Sequence, residues 1–395
     1  MADSTVDTWW ALSVCTLTHA FIHVFAIMHM ALIPVFMKEL SLSIFESGLL
    51  VSIPLGISVS ISLPYGFLTD RIDRRKLMAA SLILCGFSGV ALSRANSFLT
   101  LLLPLCFISL SSTLYHPPAL SVVSELLSAK QRSRALGIHG AGGTSGVAIG
   151  PITLGLIMGT YGWRFAYLIW TLPILVSSIS LLKIPKSSSR TRRDNSEEET
   201  VQVDREKQNM KRLRRGYLLL LFALSVRGMG GQSVSTYMTT YLVSNRGLSE
   251  SVSSLVYGLN PFVGILGSLS GGYFAEFSGN KRWMIIAYTA GMFTLACVWL
   301  GPLWFLMVFY LVGGYFGGST MGPSTSLAAE LSPRERRGLA YAVFMLPFNL
   351  VGAFSPVIAA KIIELFGIQT LFPFAIFLYL ISIIVLQSIP EKNKP

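Results

Sequence analysis

Gly66-Phe67-Leu68-Thr69-Asp70-Arg71-Ile72-Asp73-Arg74-Arg75-Lys76 lies between two long apolar runs and places six charges in its last seven residues. A partial second copy follows as Gly272-Tyr273-Phe274-Ala275-Glu276 and then Lys281-Arg282, with glycine, acid and basic pair each displaced by 206 positions. A common displacement of three separate features implies an internal duplication. The apolar runs on either side of so charged a loop read as helices that cross a membrane while the loop stays in water.

The rest of the chain agrees. Its 395 residues are 52% hydrophobic and 13% charged, with a mean hydropathy of +0.61, where a soluble domain carries about 25% charged residues. Runs of roughly 20 apolar residues, each long enough to cross about 30 Å of hydrocarbon as a helix, recur along nearly the whole length. Six spans are expected at 10–37, 47–68, 77–93, 98–123, 135–158 and 164–183. Six more are expected at 216–243, 250–275, 283–300, 303–328, 338–362 and 369–389. The fold class is therefore an all-α membrane protein with twelve transmembrane helices.

The formal charge of +12 does not indicate a nucleic-acid partner, because the basic residues are confined to short loops. Of the 31 Lys and Arg, 25 fall in the loops on one side of the bundle, eleven of them between 183 and 215. Five lie on the other side: Lys38, Arg94, Arg164, Arg246 and Lys361. Basic residues are retained in the cytoplasm, so both termini are expected there and the chain in the cell membrane. The first apolar run begins near Trp9 with no basic segment before it and is too long for a cleavable leader. Cys15, Cys85, Cys106 and Cys297 have no paired spacing, and no metal site or disulfide framework is expected from them.

A second echo supports the duplication. Glu125-Leu126 followed by bases to Arg134 is matched by Glu330-Leu331 with Arg334, Arg336 and Arg337, a displacement of 205. Two six-helix bundles, 1–184 and 216–395, are expected, joined by a polar cytoplasmic linker at 185–215. That linker alternates Ser, Glu and basic blocks and has few apolar residues to pack it, so a mostly mobile tether is expected, with a short surface helix as the alternative. Internal repeats of this kind place a substrate site near the midplane between the halves.

The pattern G-x-x-x-D-R-x-x-R-R after an apolar helix resembles the signature of the major facilitator superfamily, where it joins the second and third helices of a six-helix half. In the second copy Glu276 stands for the aspartate and Phe277 for the arginine. The resemblance implies alternating access between two pseudo-symmetric bundles, with helices 1, 4, 7 and 10 lining the cavity. It also implies a gating role for the loop residues Gly66, Asp70, Arg71, Arg75 and Glu276. Asp70 would meet the positive end of a helix beginning near Gly338. Within the superfamily, Leu17-Thr18-His19 and Tyr115-His116-Pro117, continuing to Gly142-Gly143 and Gly150-Pro151, are similar to the fosmidomycin-resistance group. That group's helix 1 aspartate and the glutamate after its His-Pro are replaced here by His23 and Pro118.

Inside the spans, ionisable groups are few. Arg227 is the only Lys, Arg, Asp or Glu well inside a span, and a lone arginine at that depth must face protein, water or a ligand. Its counterpart by the repeat displacement is position 21, between His19 and His23, which share one helix face. His116-Pro117-Pro118 is expected to interrupt helix 4, next to a cavity or as a kink. His29 and His139 complete the five histidines. Each histidine alone is as readily a hydrogen-bonded packing residue as a ligand contact. The expected substrate contacts are Arg227, His19, His23 and His116, with Gln232, Tyr237 and Asn260 as further hydrogen-bonding groups. On helix 5, Gly142, Gly146, Gly150 and Pro151 present a face nearly free of side chains, suited to close helix packing.

The function expected is a secondary transporter, not an enzyme, for a small-molecule substrate. A positive cavity without carboxylates favours an organic anion, and the histidines raise proton coupling. Drug efflux of the fosmidomycin-resistance type is the alternative. A transport-incompetent receptor and a histidine-metal enzyme are the readings from other classes. No cofactor is expected, and the chain is expected to be a monomer in the lipid bilayer.

Overall fold

The computed structural model describes residues 2–68, 72–126, 131–184, 203–332 and 337–390, and these are the residues whose structure follows. They form α1 (Ala2–Ala31), α2 (Ile33–Leu40), α3 (Ile44–Leu68), α4 (Arg74–Ser93), α5 (Phe98–Leu126), α6 (Arg132–Tyr161) and α7 (Trp163–Leu182). The second series is α8 (Val203–Ser244), α9 (Glu250–Ser278), α10 (Asn280–Leu300), α11 (Leu303–Ser319), α12 (Met321–Glu330), α13 (Arg337–Phe366) and α14 (Leu371–Gln387). Twelve helices are long and apolar enough to cross a membrane, α11 and α12 together making one of them.

Three places depart from a simple reading of the apolar runs, and a proline lies at each. The first span breaks at Leu32, with Pro34 at the start of α2, and the tenth breaks at Thr320, ahead of Pro323. The expected interruption at His116-Pro117-Pro118 does not occur: α5 runs unbroken through both prolines. A proline leaves the carbonyl four residues earlier without its helical donor, and in each case a side chain supplies one. Thr239 donates to Met30 (3.1 Å), Trp283 Nε1 to Ser319 (3.2 Å) and Tyr65 to Leu114 (2.7 Å). Lipid cannot satisfy such groups, so these bonds fix which helices stand beside each proline.

The repeat is written in the polar contacts as well as in the sequence. Arg75 Nη1 donates to the carbonyls of Leu182 (3.3 Å) and Ile184 (3.0 Å), and Lys281 Nζ donates to those of Gln387 (3.0 Å) and Ile389 (2.7 Å). Arg74 pairs with Glu125 at 2.7 Å, and Asn280 donates to Glu330 at 2.6 Å. Every one of these positions maps onto its partner by a shift of 205 or 206. In both halves a basic residue at the head of the third helix thus holds the exposed carbonyl end of the sixth, a favourable charge at a helix C-terminus.

Hydrogen bonds between the two series of helices cluster at one end of the bundle, near the turns at 41–43 and 245–249. Lys38 meets Glu250 (3.3 Å), Thr239 the Met30 carbonyl, Ser254 the Pro151 carbonyl (2.7 Å), and Tyr237 the Ile44 carbonyl (3.3 Å). Small residues bring the backbones together there. A Cβ on Gly258 would lie 2.8 Å from the Ala148 carbonyl oxygen, and one on Gly155 2.6 Å from that of Ser251. This end is closed by direct packing of α6 on α9 and of α3 on α13.

Of the expected gate, Asp70 and Arg71 lie outside the described residues. Gly66 falls within α3, Arg75 is engaged within its own half as above, and Glu276 is exposed near the end of α9. Residues 185–202 of the expected linker are likewise outside the described residues, and α8 begins at Val203, so 203–215 are helical and continuous with the seventh span.

Candidate functional site

A cavity of about 570 Å³ opens among α8, α9, α10, α11, α12 and α14, with Thr144 and Val147 of α6 on its remaining side. Among the described residues its only charged lining residue is Arg227. The helix faces that enclose it are locally poor in side chains: α11 offers Gly313, Gly314, Gly317 and Gly318. Gly317 lies beside the guanidinium, where a Cβ would be in ordinary contact at 3.6 Å from Arg227 Nη2. Two tyrosines flank the charge, with Arg227 Cζ 5.3 Å from the ring centroid of Tyr288 and 5.4 Å from that of Tyr379. Ring faces attract a cation without neutralising it. Arg227 Nε is buried without a hydrogen-bond partner among the described residues.

The guanidinium is therefore held in place but not matched by an opposite charge, an arrangement suited to an anion. Asn260 also lines the cavity, and its Nδ2 donates to the Tyr310 carbonyl at 2.6 Å, fixing α9 against α11.

Tyr237 and Gln232 stand apart from this cavity. Tyr237 is fully buried and donates to the carbonyls of Pro356 (3.0 Å) and Ile44, joining α8 to α13 and α3 at the closed end. Gln232 donates to Thr236, one turn further along α8, at 3.4 Å.

The histidines gather elsewhere. His19 and His23 on α1 and His116 on α5 turn their Nε2 atoms to one point: His19 to His23 3.1 Å, His19 to His116 3.2 Å, His23 to His116 3.2 Å. Backbone carbonyls hold two of the rings from behind, His139 O at 2.8 Å from His19 Nδ1 and Ser112 O at 2.6 Å from His116 Nδ1. The His139 ring stacks on His19 with centroids 4.2 Å apart. Gly143 makes room, because a Cβ there would meet His19 Cε1 at 2.5 Å. None of the three lines the Arg227 cavity.

Gly142, Gly146 and Gly150 set α6 directly on α1. A Cβ at these positions would meet the carbonyl oxygens of Thr16, Ala20 and Val24 in turn. They thereby bring His139 and Gly143 against His19. Pro151 turns its carbonyl outward to accept from Ser254.

Sequence reasoning did not reach Tyr288, Tyr379 or Gly317. An aromatic residue or a glycine in an apolar span carries no mark of its own; only their meeting around Arg227 singles them out. His116 was grouped with His19 and His23 through the resemblance alone; that their Nε2 atoms meet is not readable from two helices nearly a hundred residues apart.

Comparison with known proteins accords with this geometry. The profile of the Major Facilitator Superfamily matches residues 15–277 and again 220–395. The cis,cis-muconate transport protein of Acinetobacter baylyi is 24% identical over 320 residues, covering 76% of this chain and 75% of that protein. The fosmidomycin resistance protein of Escherichia coli is 23% identical over 370 residues, covering 92% and 89%. Among solved structures, an inward-facing, unoccupied bacterial homolog of the human lysosomal transporter Spinster superposes with a TM-score of 0.78 at 15% identity. The match covers 97% of this chain and 98% of that one. The nucleoside transporter NupG gives 0.77 at 13% identity, covering 97% and 100%. With the profile matched over most of its length and the twelve-helix fold shared, the chain belongs to the Major Facilitator Superfamily of membrane transporters.

Proposed function

We propose that this transporter carries a small organic anion, held by Arg227 in the cavity of the second bundle. The observation that supports the reading most is a lone guanidinium between two tyrosine rings in a cavity whose lining, among the described residues, contains no acid. Leaving a buried cation without a counter-charge costs free energy, and an anion entering the cavity recovers it. A carboxylate fits the planar fork of arginine, as does a phosphonate. The relative named for muconate, a carboxylate, agrees in substrate class. Transport is by alternating access of two bundles, 1–184 and 216–395, joined by 185–215. Closure of the end near Lys38 and Glu250, which the distribution of basic loops assigns to the outside, makes the present state inward-facing.

The test is thermal stabilisation of the purified protein in detergent by a panel of mono- and dicarboxylates, phosphonates, amines and neutral analogues. A ligand of the folded state raises its melting temperature. At least one acid should do so by several degrees while its methyl ester or amide does not. Stabilisation by amines or neutral compounds alone would reject the anion reading.

A further inference from the structure

We propose that His19, His23 and His116 form a binding site for one divalent transition-metal ion of the zinc class, with a fourth position left for water or a small anion. Valence makes the triangle of nitrogens unusual. The carbonyls of His139 and Ser112 accept from the Nδ1–H groups of His19 and His116, so each of these neutral rings carries its lone pair on Nε2. Those two lone pairs face each other across 3.2 Å. His23 has one Nε2–H at most and cannot donate fully to both. At least one edge of the triangle is then a contact between two acceptors, which a shared cation relieves.

The dimensions fit a metal. Zinc bound by imidazole lies about 2.0–2.1 Å from each nitrogen, which at tetrahedral angles places the nitrogens about 3.3 Å apart. The three edges here are 3.1, 3.2 and 3.2 Å. An ion at that bond length would sit about 0.9 Å off the plane of the nitrogens, with angles of about 101° between them, leaving one apex open. Metal-binding histidines characteristically donate their other ring N–H to a carbonyl or carboxylate, which fixes tautomer and ring direction. His19 and His116 are both held in this way.

Packing holds the rings further: His139 stacks on His19, Gly143 leaves it space, and Tyr115 binds both the Thr18 hydroxyl (2.7 Å) and the Cys15 carbonyl (2.8 Å), tying α5 to α1. His23 and His116 keep partial exposure. Among the described residues no thiol or carboxylate joins the group. Three neutral imidazoles select for zinc, copper, nickel or cobalt over magnesium or calcium, which prefer oxygen donors.

The site is separate from the Arg227 cavity, and its test does not depend on the anion reading. Protein without a polyhistidine tag, in detergent, is equilibrated with Zn2+ alone and assayed for bound metal, and with Co2+ for the visible bands of a tetrahedral complex. The expected result is one zinc per chain, cobalt bands that zinc abolishes, and a rise in melting temperature with zinc. His23→Ala and His23→Gln should keep the metal-free melting temperature within a few degrees and weaken zinc binding more than about tenfold, as loss of a ligand exceeds loss of an outer partner. His29→Ala, outside the triangle, should bind as the unaltered protein does. Zinc content unchanged by both His23 variants, or a cobalt complex without tetrahedral bands, would overturn the proposal, as would an unaltered protein that binds no metal.

Discussion

The two halves hold corresponding helices together with opposite chemistry. Between spans 1 and 5, Gly150 lies directly under the Val24 carbonyl; at the matching place between spans 7 and 11, Ser355 donates to the Met229 carbonyl at 2.7 Å. Between spans 2 and 4, Ser58 and Ser109 share a hydrogen bond of 2.6 Å; at the matching place between spans 8 and 10, Gly264 and Gly314 bring backbones together. All four correspondences carry the repeat shift of 205 or 206. Close approach of helices in lipid is met by small residues and by hydroxyls alike, so the frame survived while the side chains exchanged. The interiors had the same liberty: one half holds three converging imidazoles, the other a guanidinium between two tyrosine rings.

Exchanging these residues one at a time sharpens the comparison. The largest loss is expected for Gly314→Ser, because its Cβ would run into the Asn260 carbonyl oxygen on the facing helix. Overpacking of this kind costs about 3 kcal/mol, read as a fall in melting temperature in detergent. Gly150→Ser should come next, at about 1 kcal/mol, since its Cβ would crowd the Val24 oxygen at 3.0 Å while the hydroxyl can bond there as Ser355 does to Met229. The reverse class is mildest: Ser109→Ala loses the bonds to Ser58 and to the Pro54 carbonyl (2.9 Å), and such bonds between membrane helices average about 0.6 kcal/mol. Equal losses for Gly314→Ser and Ser109→Ala would mean that the halves are not packed by this rule.

Tyr237 has no such exchange partner; 206 positions earlier stands Ala31. Its hydroxyl serves the closed end alone, and Tyr237→Phe should leave overall stability nearly unchanged while shifting the balance of states towards opening there by about 1 kcal/mol. Spin labels on α2 and α9 should then report a larger population of the long distance. By contrast, the exposed pair Lys38 and Glu250 contributes little, about 0.5 kcal/mol or less, and Glu250→Gln should move that population barely at all.

The fold was legible because membrane helices announce themselves by length and hydropathy, and the repeat by the loop at 66–76 and its echo at 272–282. The breaks at Leu32 and Thr320, and the unbroken run through Pro117 and Pro118, were not legible. They depend on which side chain reaches a freed carbonyl, and Thr239, Trp283 and Tyr65 are distant in sequence. Arg227 stood out because a charge in an apolar run has few innocent explanations. Its tyrosine flanks and the meeting of His116 with α1 arise only from helix packing, which no local pattern records.

The claim on which the functional account turns is that Arg227 recognises a negatively charged substrate. It is tested most directly by uptake into liposomes containing the purified protein, comparing an acid that stabilises it with the corresponding ester, for the unaltered chain, Arg227→Lys and Arg227→Ala. Removing a buried group that meets an opposite charge costs about 2–5 kcal/mol, so Arg227→Ala should lose uptake of the acid by about thirtyfold or more. Arg227→Lys, with the charge but without the planar fork, should fall between. Uptake of the ester at the rate of the acid, or full uptake of the acid by a folded Arg227→Ala protein, would contradict the account.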